Sequence, residues 1–226
     1  MTHIEQPGHS TAPTSAEEMS GEEFWDRRYS ESTQIWSGNP NAALVAMIRD
    51  RATGTALDVG CGEGADAIWL AEKGWAVTGI DISQLALDRA QEAAQRRQVG
   101  KSIAWQRLDL TSDSPQGEFN LVSAIFLQSP IGFPREAILR RLCANVAPGG
   151  LLLIVGHAKW PPWSRHAEHD AQRPDPLNAA ETLAALELDE GRWLVEQCAD
   201  QTREVTAPDG TPAELIDAVV LARRIH

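Results

Sequence analysis

Thr55-Ala56-Leu57-Asp58-Val59-Gly60-Cys61-Gly62-Glu63-Gly64 decides how this chain is read. A short apolar run carries an acid near its end, three glycines alternate with other residues, and a helical pattern follows. That order predicts a buried strand, then a tight turn that brings bare backbone against a ligand. The helix after it points its first N–H groups at the same ligand. A second apolar run, Trp75-Ala76-Val77-Thr78-Gly79-Ile80, ends in Asp81. An acid at the tip of the second strand is where a nucleoside offers its ribose hydroxyls to a carboxylate. Together the two runs predict a site for a nucleoside-bearing cofactor.

Two cofactor classes suit the glycines. Gly60-x-Gly62-x-x-Ala65 satisfies the dinucleotide fingerprint, with Asp81 near the expected spacing. Asp58 weighs the other way. A carboxylate at the end of the first strand repels a pyrophosphate and suits a cation, such as the ammonium or sulfonium of S-adenosylmethionine. Glu63 adds a further negative charge in the turn itself. The segment resembles motif I (D-x-G-x-G-x-G) of the class I S-adenosylmethionine-dependent methyltransferases, and Asp81 resembles their ribose-binding acid. The resemblance runs from Leu57 to about Arg223 and takes in the N-terminal helices. An NAD-dependent oxidoreductase and a non-catalytic S-adenosylmethionine-binding protein are the competing readings.

Outward from the glycines, strands and helices alternate. Strands are expected at Ala56–Val59, Trp75–Ile80, Ser102–Arg107, Phe119–Phe126 and Leu151–Val155, the last a continuous aliphatic run of the kind buried on both faces of a parallel sheet. Helices fall between them, one capped by Ser83, and one opened by Pro134 that buries Ile138, Leu139, Leu142 and Val146. After a long loop from Gly156 to Pro176 come a helix at Asn178–Leu188 and two strands, Trp193–Ala199 and Glu214–Ala222. This alternation predicts an α/β fold with a doubly wound, mostly parallel sheet and helices on both faces. The resemblance implies a Rossmann-like sheet of seven strands whose last strand is antiparallel.

Residues 1–20 are rich in Ser, Thr, Pro, Glu and His, without apolar periodicity, and read as a disordered leader before one domain spanning 21–226. They lack the basic start and apolar core of a signal peptide, and no apolar run reaches membrane-span length. A cytoplasmic protein without a membrane partner is expected, as a monomer or homodimer. The 32 acidic and 20 basic side chains give a net charge of −12, which disfavours a nucleic-acid partner; a small-molecule substrate is what the resemblance implies. Cys61, Cys143 and Cys198 form neither a disulfide framework nor a metal spacing. Cys143 and Cys198 are expected to pack in the core, and Cys61 to act through its backbone.

The resemblance supplies the remaining cofactor contacts. Asp109 matches the residue that receives the adenine amino group, with Leu110 beside it; the plainer alternative for Asp109 is an acid that caps a turn. Ala124-Ile125-Phe126 matches the segment under the methionine portion, and Asn120 replaces a frequent Asp at the start of that strand. Phe24-Trp25-Asp26-Arg27-Arg28-Tyr29 and Ile35-Trp36-Ser37-Gly38-Asn39-Pro40 are similar to the N-terminal lid (here 21–53) of the tellurite-resistance and thiopurine-type small-molecule methyltransferases. Aromatics there would close over the cofactor and shed water. The implied cofactor set is Tyr29, Trp36, Asp58, Gly60, Cys61, Gly62, Asp81, Ile82, Asp109, Leu110 and Ile125. His157, His166 and His169 follow strand five with Lys159, Trp160, Trp163 and Arg165. His157, nearest the strand end, is the candidate general base for an acceptor that must lose a proton; a thiol or other soft nucleophile would need little more than positioning. His166-x-x-His169 lacks a third ligand, so no metal is expected. Gln128-Ser129-Pro130-Ile131 stands where DNA and glutamine N-methyltransferases carry DPPY-like or NPPF-like tetrapeptides.

Overall fold

The sheet grows outward from β1 (Thr55–Val59), with β2 (Ala76–Asp81) on one side and β4 (Phe119–Ile125) on the other, all parallel. The computed structural model describes residues 19–130, 132–163 and 176–226. β3 (Ile103–Arg107), β5 (Val146–His157), β6 (Trp193–Thr206) and β7 (Pro212–Arg224) complete the order β3-β2-β1-β4-β5-β7-β6. β7 runs antiparallel to both β5 and β6. The chain reverses its direction of travel across the sheet between β1 and β4. That switch opens a crevice at the strands' C-terminal ends.

Helices cover both faces. Leu44 and Ile48 of α2 (Ala42–Ile48) and Ile68 and Leu70 of α3 (Ala65–Glu72) pack on Leu121, Leu153, Val155 and Val219. On the other face Ile138, Leu139 and Leu142 of α5 (Arg135–Leu142) meet Val122, Leu152, Ile154 and Val220, with α6 (Ala179–Ala185) alongside. Successive residues of β5 thus serve opposite layers, as a doubly covered strand requires. α4 (Gln84–Arg96) starts at Ser83, whose Oγ accepts the Ala86 N–H at 3.2 Å. α1 (Gly21–Ser30) opens with a capping box between Ser20 and Glu23. Of the expected leader, residues 1–18 lie outside the described residues.

Three expectations change. α5 stops at Leu142 because Asn145 turns back, donating to the carbonyls of Pro115 (2.9 Å) and Gly117 (2.8 Å); Val146 therefore begins β5 instead of ending the helix. The closing hairpin is much longer than its apolar runs. Asp200-Gln201-Thr202-Arg203-Glu204 carries no apolar period, yet its backbone stays paired to β7 as far as Thr206↔Pro212. Since His157 and Gln201 both lie level with Asp217, residues 202–206 and 212–216 stand beyond the tip of β5. Cys198 is exposed on β6, the sheet's outer strand, and has no core to pack into. Cys143 is half-buried against the α5 layer, where burial pushes its thiol up to about 11.

Candidate active site

Backbone shape builds the first half of the crevice. Gly60 and Gly62 have φ of 69° and 52°, left-handed values that favour glycine. The N–H groups of Gly60 and Cys61 both donate to the Ile80 carbonyl, at 2.8 and 3.0 Å, so the turn folds back over β2. Gly62 has no room for a side chain: a Cβ there would stand 2.9 Å from Tyr29 Oη and 3.4 Å from Trp36 Nε1. Its N–H donates to Asp81 Oδ2 at 2.8 Å, while Ser83 N–H donates to Oδ1 at 2.9 Å. Asp81 closes the turn at its mouth. The Cys61 sulfur faces Gly79 of β2, 3.2 Å from where a Cβ would lie, which leaves its backbone to the turn.

Acids line this half. Asp58 is buried; Oδ1 accepts from Ser123 Oγ at 3.2 Å, and among the described residues Oδ2 accepts no hydrogen bond. Burial, with the charge of Asp66 behind it, raises the Asp58 pKa well above the carboxylate range. Burial likewise raises Asp81, and lifts Asp66 to about 6 although Asp66 accepts the Asn41 N–H at 2.6 Å. A buried acceptor left unmade costs about 1–3 kcal/mol. An orphaned carboxylate oxygen among three acids therefore suits a cationic ligand.

The N-terminal segment lies over the turn. Tyr29 is buried, and burial drives its phenol pKa upward; Trp36 is 50 % exposed and donates from Nε1 to Tyr29 Oη at 3.1 Å. Glu63, the charge within the turn, faces the N-terminal segment. It accepts the N–H groups of Ile35 and Trp36, each at 3.1 Å, and pairs with Arg89 at 2.9 Å, while Arg89 also donates to the Tyr29 carbonyl at 2.9 Å. Its charge is spent on strapping 29–36 down. α1 is tied further by Ser83 Oγ donating to Asp26 and by Arg107–Glu22 at 2.7 Å. Trp25 is half-buried, 6.1 Å from the Tyr29 ring.

The remaining resemblance-derived residues are spread along the same rim. Ile82 is half-buried, its Cδ1 3.3 Å from a Cβ position on Gly21. Asp109 caps its own turn, with Oδ1 accepting from Thr111 N–H (2.8 Å) and Oγ1 (2.7 Å). Leu110 is buried and its carbonyl accepts from Arg141. Ile125 ends β4 opposite Val155. Asn120 sits at the far end of β4, accepting the Thr55 N–H at 2.9 Å, away from the crevice.

Side chains from four strands build the second half. Phe126, just past β4, has φ +50° and donates its N–H to the Val155 carbonyl at 2.7 Å. A left-handed aromatic costs on the order of 1–3 kcal/mol, a strain that concentrates at functional sites. The turn sets the ring 4.5 Å from that of His157, with Trp160 6.3 Å beyond. His157 Nδ1 lies 3.3 Å from Asp217 Oδ1, close but short of hydrogen-bond geometry, and among the described residues neither atom has a hydrogen-bond partner. Asp217 Oδ2 accepts from Arg203 Nε, and the Arg203 guanidinium stands 5.7 Å from the Phe126 ring centroid. Across Gly156, Arg135 Nε donates to the Leu127 carbonyl at 3.0 Å; burial lowers its pKa. His166 and His169 lie outside the described residues. Among the described residues no three His, Cys, Asp or Glu side chains cluster as metal ligands.

Residues 56–150 match the model of the family described as methyltransferase domain. Over these residues the chain resembles a methyltransferase domain. Over 153 residues the chain is 28 % identical to the 2-heptyl-1-hydroxyquinolin-4(1H)-one methyltransferase of Mycobacteroides abscessus, covering 65 % of this chain and 63 % of that one. It is 37 % identical over 101 residues to the ribosomal protein L11 methyltransferase of Ralstonia pickettii, 44 % of this chain. The chain spans only 31 % of that relative's length. A solved structure for the conversion of a disulfide bond into a thioacetal group during echinomycin biosynthesis superposes with a TM-score of 0.68 at 26 % identity, covering 90 % and 92 % of the two chains.

The cofactor of a class I methyltransferase domain is S-adenosylmethionine, and the residues fit it. Asp58 Oδ2 is a buried acceptor without a hydrogen-bond partner among the described residues, Gly62 brings bare backbone up against Tyr29 and Trp36, and Asp81 stands at the mouth of the turn. Sequence reasoning missed Asp66, Arg89, Ser123, Arg203 and Asp217. A polar residue amid the strand-four aliphatics marks Ser123, whereas Arg203 and Asp217 carry no local signal.

Proposed function

We propose that the protein transfers the methyl group of S-adenosylmethionine to a small molecule that must lose a proton to react, with His157 as general base. The cofactor, when bound, supplies a methyl group activated by its sulfonium. Asp58, Asp66 and Asp81 give the cationic amino-acid end and the ribose their acidic surroundings, and Gly60, Cys61 and Gly62 give them close backbone. Tyr29 and Trp36, strapped by Glu63 and Arg89, form the lid that excludes water, while Ile82, Asp109 and Leu110 line the adenine side and Ile125 the methionine side. Phe126, His157 and Trp160 offer a flat acceptor an aromatic wall.

One observation carries this reading: the imidazole of His157 at the tip of β5, wedged between an aromatic ring and a buried carboxylate. An already anionic thiolate needs no such group. The hydroxyl-bearing quinolone in the name of the Mycobacteroides relative agrees with it. Chemistry at sulfur, as in the echinomycin structure, is the second reading. No helix among the described residues is long and apolar enough to cross a membrane; with the acidic surface this supports a cytoplasmic monomer or homodimer that does not act on nucleic acid.

Two measurements test the proposal. Calorimetric titration should give micromolar binding of S-adenosylmethionine and of S-adenosylhomocysteine, with no binding of NAD. Labelled-methyl transfer to a panel of hydroxylated heteroaromatics and thiols should favour the hydroxylated set. Transfer to thiols alone, unaffected by His157→Gln, would hand the site to the sulfur reading.

A further inference from the structure

Asp217 and Arg203 sit outside the glycine turn and outside every motif in the sequence, yet they meet His157, the one imidazole that the described residues place at the crevice. Backbone register brings them there. His157 and Asp217 are directly opposed on antiparallel β5 and β7, so their side chains share a face. Gln201 is level with Asp217, and Arg203, two residues further along β6, returns to that same face.

Burial makes the meeting consequential. The Asp217 side chain is 7 % exposed and that of His157 19 %. Oδ2 of Asp217 is taken by Arg203, which leaves Oδ1 3.3 Å from His157 Nδ1, and among the described residues both of these buried atoms lack a hydrogen-bond partner, so a small turn of the ring towards Oδ1 would satisfy both. An ionised carboxylate only accepts, so the nitrogen opposite it must carry the proton for the pair to be satisfied. Among the described residues the other charges near the ring are Arg203, spent on Asp217, and Arg135, held across Gly156 by the Leu127 carbonyl. The rings of Phe126 and Trp160 supply the other walls.

We infer that Asp217 is a positioning residue: with Arg203 holding it, it fixes the neutral His157 ring as the Nδ1–H tautomer and leaves Nε2 as the lone pair that takes the acceptor's proton. This rests on the assignment of His157 as general base. In that step the acceptor's X–H bond breaks, its electron pair stays on X, and the proton goes to Nε2. The imidazolium so formed is then matched by the Asp217 carboxylate. Arg203 offsets the Asp217 charge and clamps its rotamer, and its contact with Phe126 joins the clamp to the strained turn after β4.

The test needs no acceptor. In uniformly ¹⁵N-labelled full-length protein, two-bond ¹H–¹⁵N correlation of the histidine side chains reads each tautomer, with His157 identified by the signal lost in His157→Gln. At a pH where the ring is neutral, wild-type His157 should show a protonated Nδ1 and a bare Nε2. In Asp217→Asn the amide can turn its NH₂ towards the ring, and the tautomer should invert to Nε2–H, the failure expected when an orienting carboxylate becomes an amide. Arg203→Gln keeps the carboxylate but frees its rotamer, and should give a mixture of tautomers. Should Asp217→Asn fail to fold, the wild-type spectrum alone decides, because a protonated Nε2 there overturns the inference. With an acceptor from the labelled-methyl panel, Asp217→Asn should lower kcat by about 10–10²-fold at unchanged KM for S-adenosylmethionine. The base assignment fails separately, if His157→Gln transfers methyl at the wild-type rate while the tautomer result stands.

Discussion

Around the glycine turn, the ligand-facing groups are left-handed backbone and three acids, all contributed by residues 58–81. At the tips of β4 and β5 they are side chains from four strands, Phe126, His157, Arg203 and Asp217, joined only by sheet register. The first half carries acids without a cationic partner among the described residues: Asp58 Oδ2 accepts no hydrogen bond there, and burial raises all three acids. In the second half Asp217 is clamped by an arginine. In the reading proposed above, one half receives a cation and the other holds a neutral imidazole in one orientation. Binding and chemistry are thereby assigned to separate structural means, and substitutions should separate them too.

The largest expected effect lies in the second half. His157→Gln should lower methyl transfer by roughly 10²-fold or more, about 2.7 kcal/mol, and leave S-adenosylmethionine affinity at the wild-type value. Loss of cofactor binding in that variant would erase the division between the halves. Next in size, Asp81→Ala should weaken cofactor binding by about 2–3 kcal/mol, since it removes a charged acceptor and frees the Gly62 N–H. Calorimetry reads the change, and wild-type affinity would show that the ribose lies elsewhere.

A pH experiment sharpens the electrostatic side of the comparison. Burial lifts Asp66 from an ordinary 3.8 to about 6, so the folded chain binds its proton more tightly than the unfolded chain. Its contribution is then full below 3.8 and is lost as pH rises through about 6. Urea unfolding of the cofactor-free protein at pH 4.5 and pH 7.5 should show wild type losing on the order of 2 kcal/mol relative to Asp66→Asn. Parallel pH dependence in the two proteins would remove Asp66 from the acidic basin. The smallest effect concerns the strap. Glu63→Gln removes the Arg89 pair and weakens the hold on Ile35 and Trp36, and should cost about 1 kcal/mol of cofactor affinity, seen as faster release in Trp36 fluorescence. Unchanged release would mean that the strap holds the N-terminal segment without touching the ligand.

What could be read in the sequence follows the same division. The glycine turn was legible because its chemistry is local: Gly60, Gly62 and the two strand-end acids lie within a span whose spacing alone dictates a fold-back. The alternation of strands and helices gave the sheet, since aliphatic runs such as Leu151–Val155 have no other use. The hairpin was misjudged in length because residues 200–206 keep strand geometry without an apolar period, and Arg203 and Asp217 gain their meaning only from a register that no local pattern specifies. The partners of Glu63 could not be read, for Arg89 and the 35–36 backbone come from elsewhere in the chain. His157 could be placed at the strand tip, but not its orienting carboxylate.

The overhanging end of the β6–β7 hairpin has a consequence for how such a protein changes over time. Residues 202–206 and 212–216 lie past the tip of β5, and among the described residues they share no hydrogen bond with the glycine turn. Replacing or re-lengthening the overhang past Arg203, with that clamp on Asp217 kept, would alter the proposed acceptor wall while the glycine turn keeps its hydrogen bonds. A lineage can therefore explore new acceptors there at little risk to cofactor binding. For the engineer, the hairpin tip is the place to graft loops when a different molecule is to be methylated.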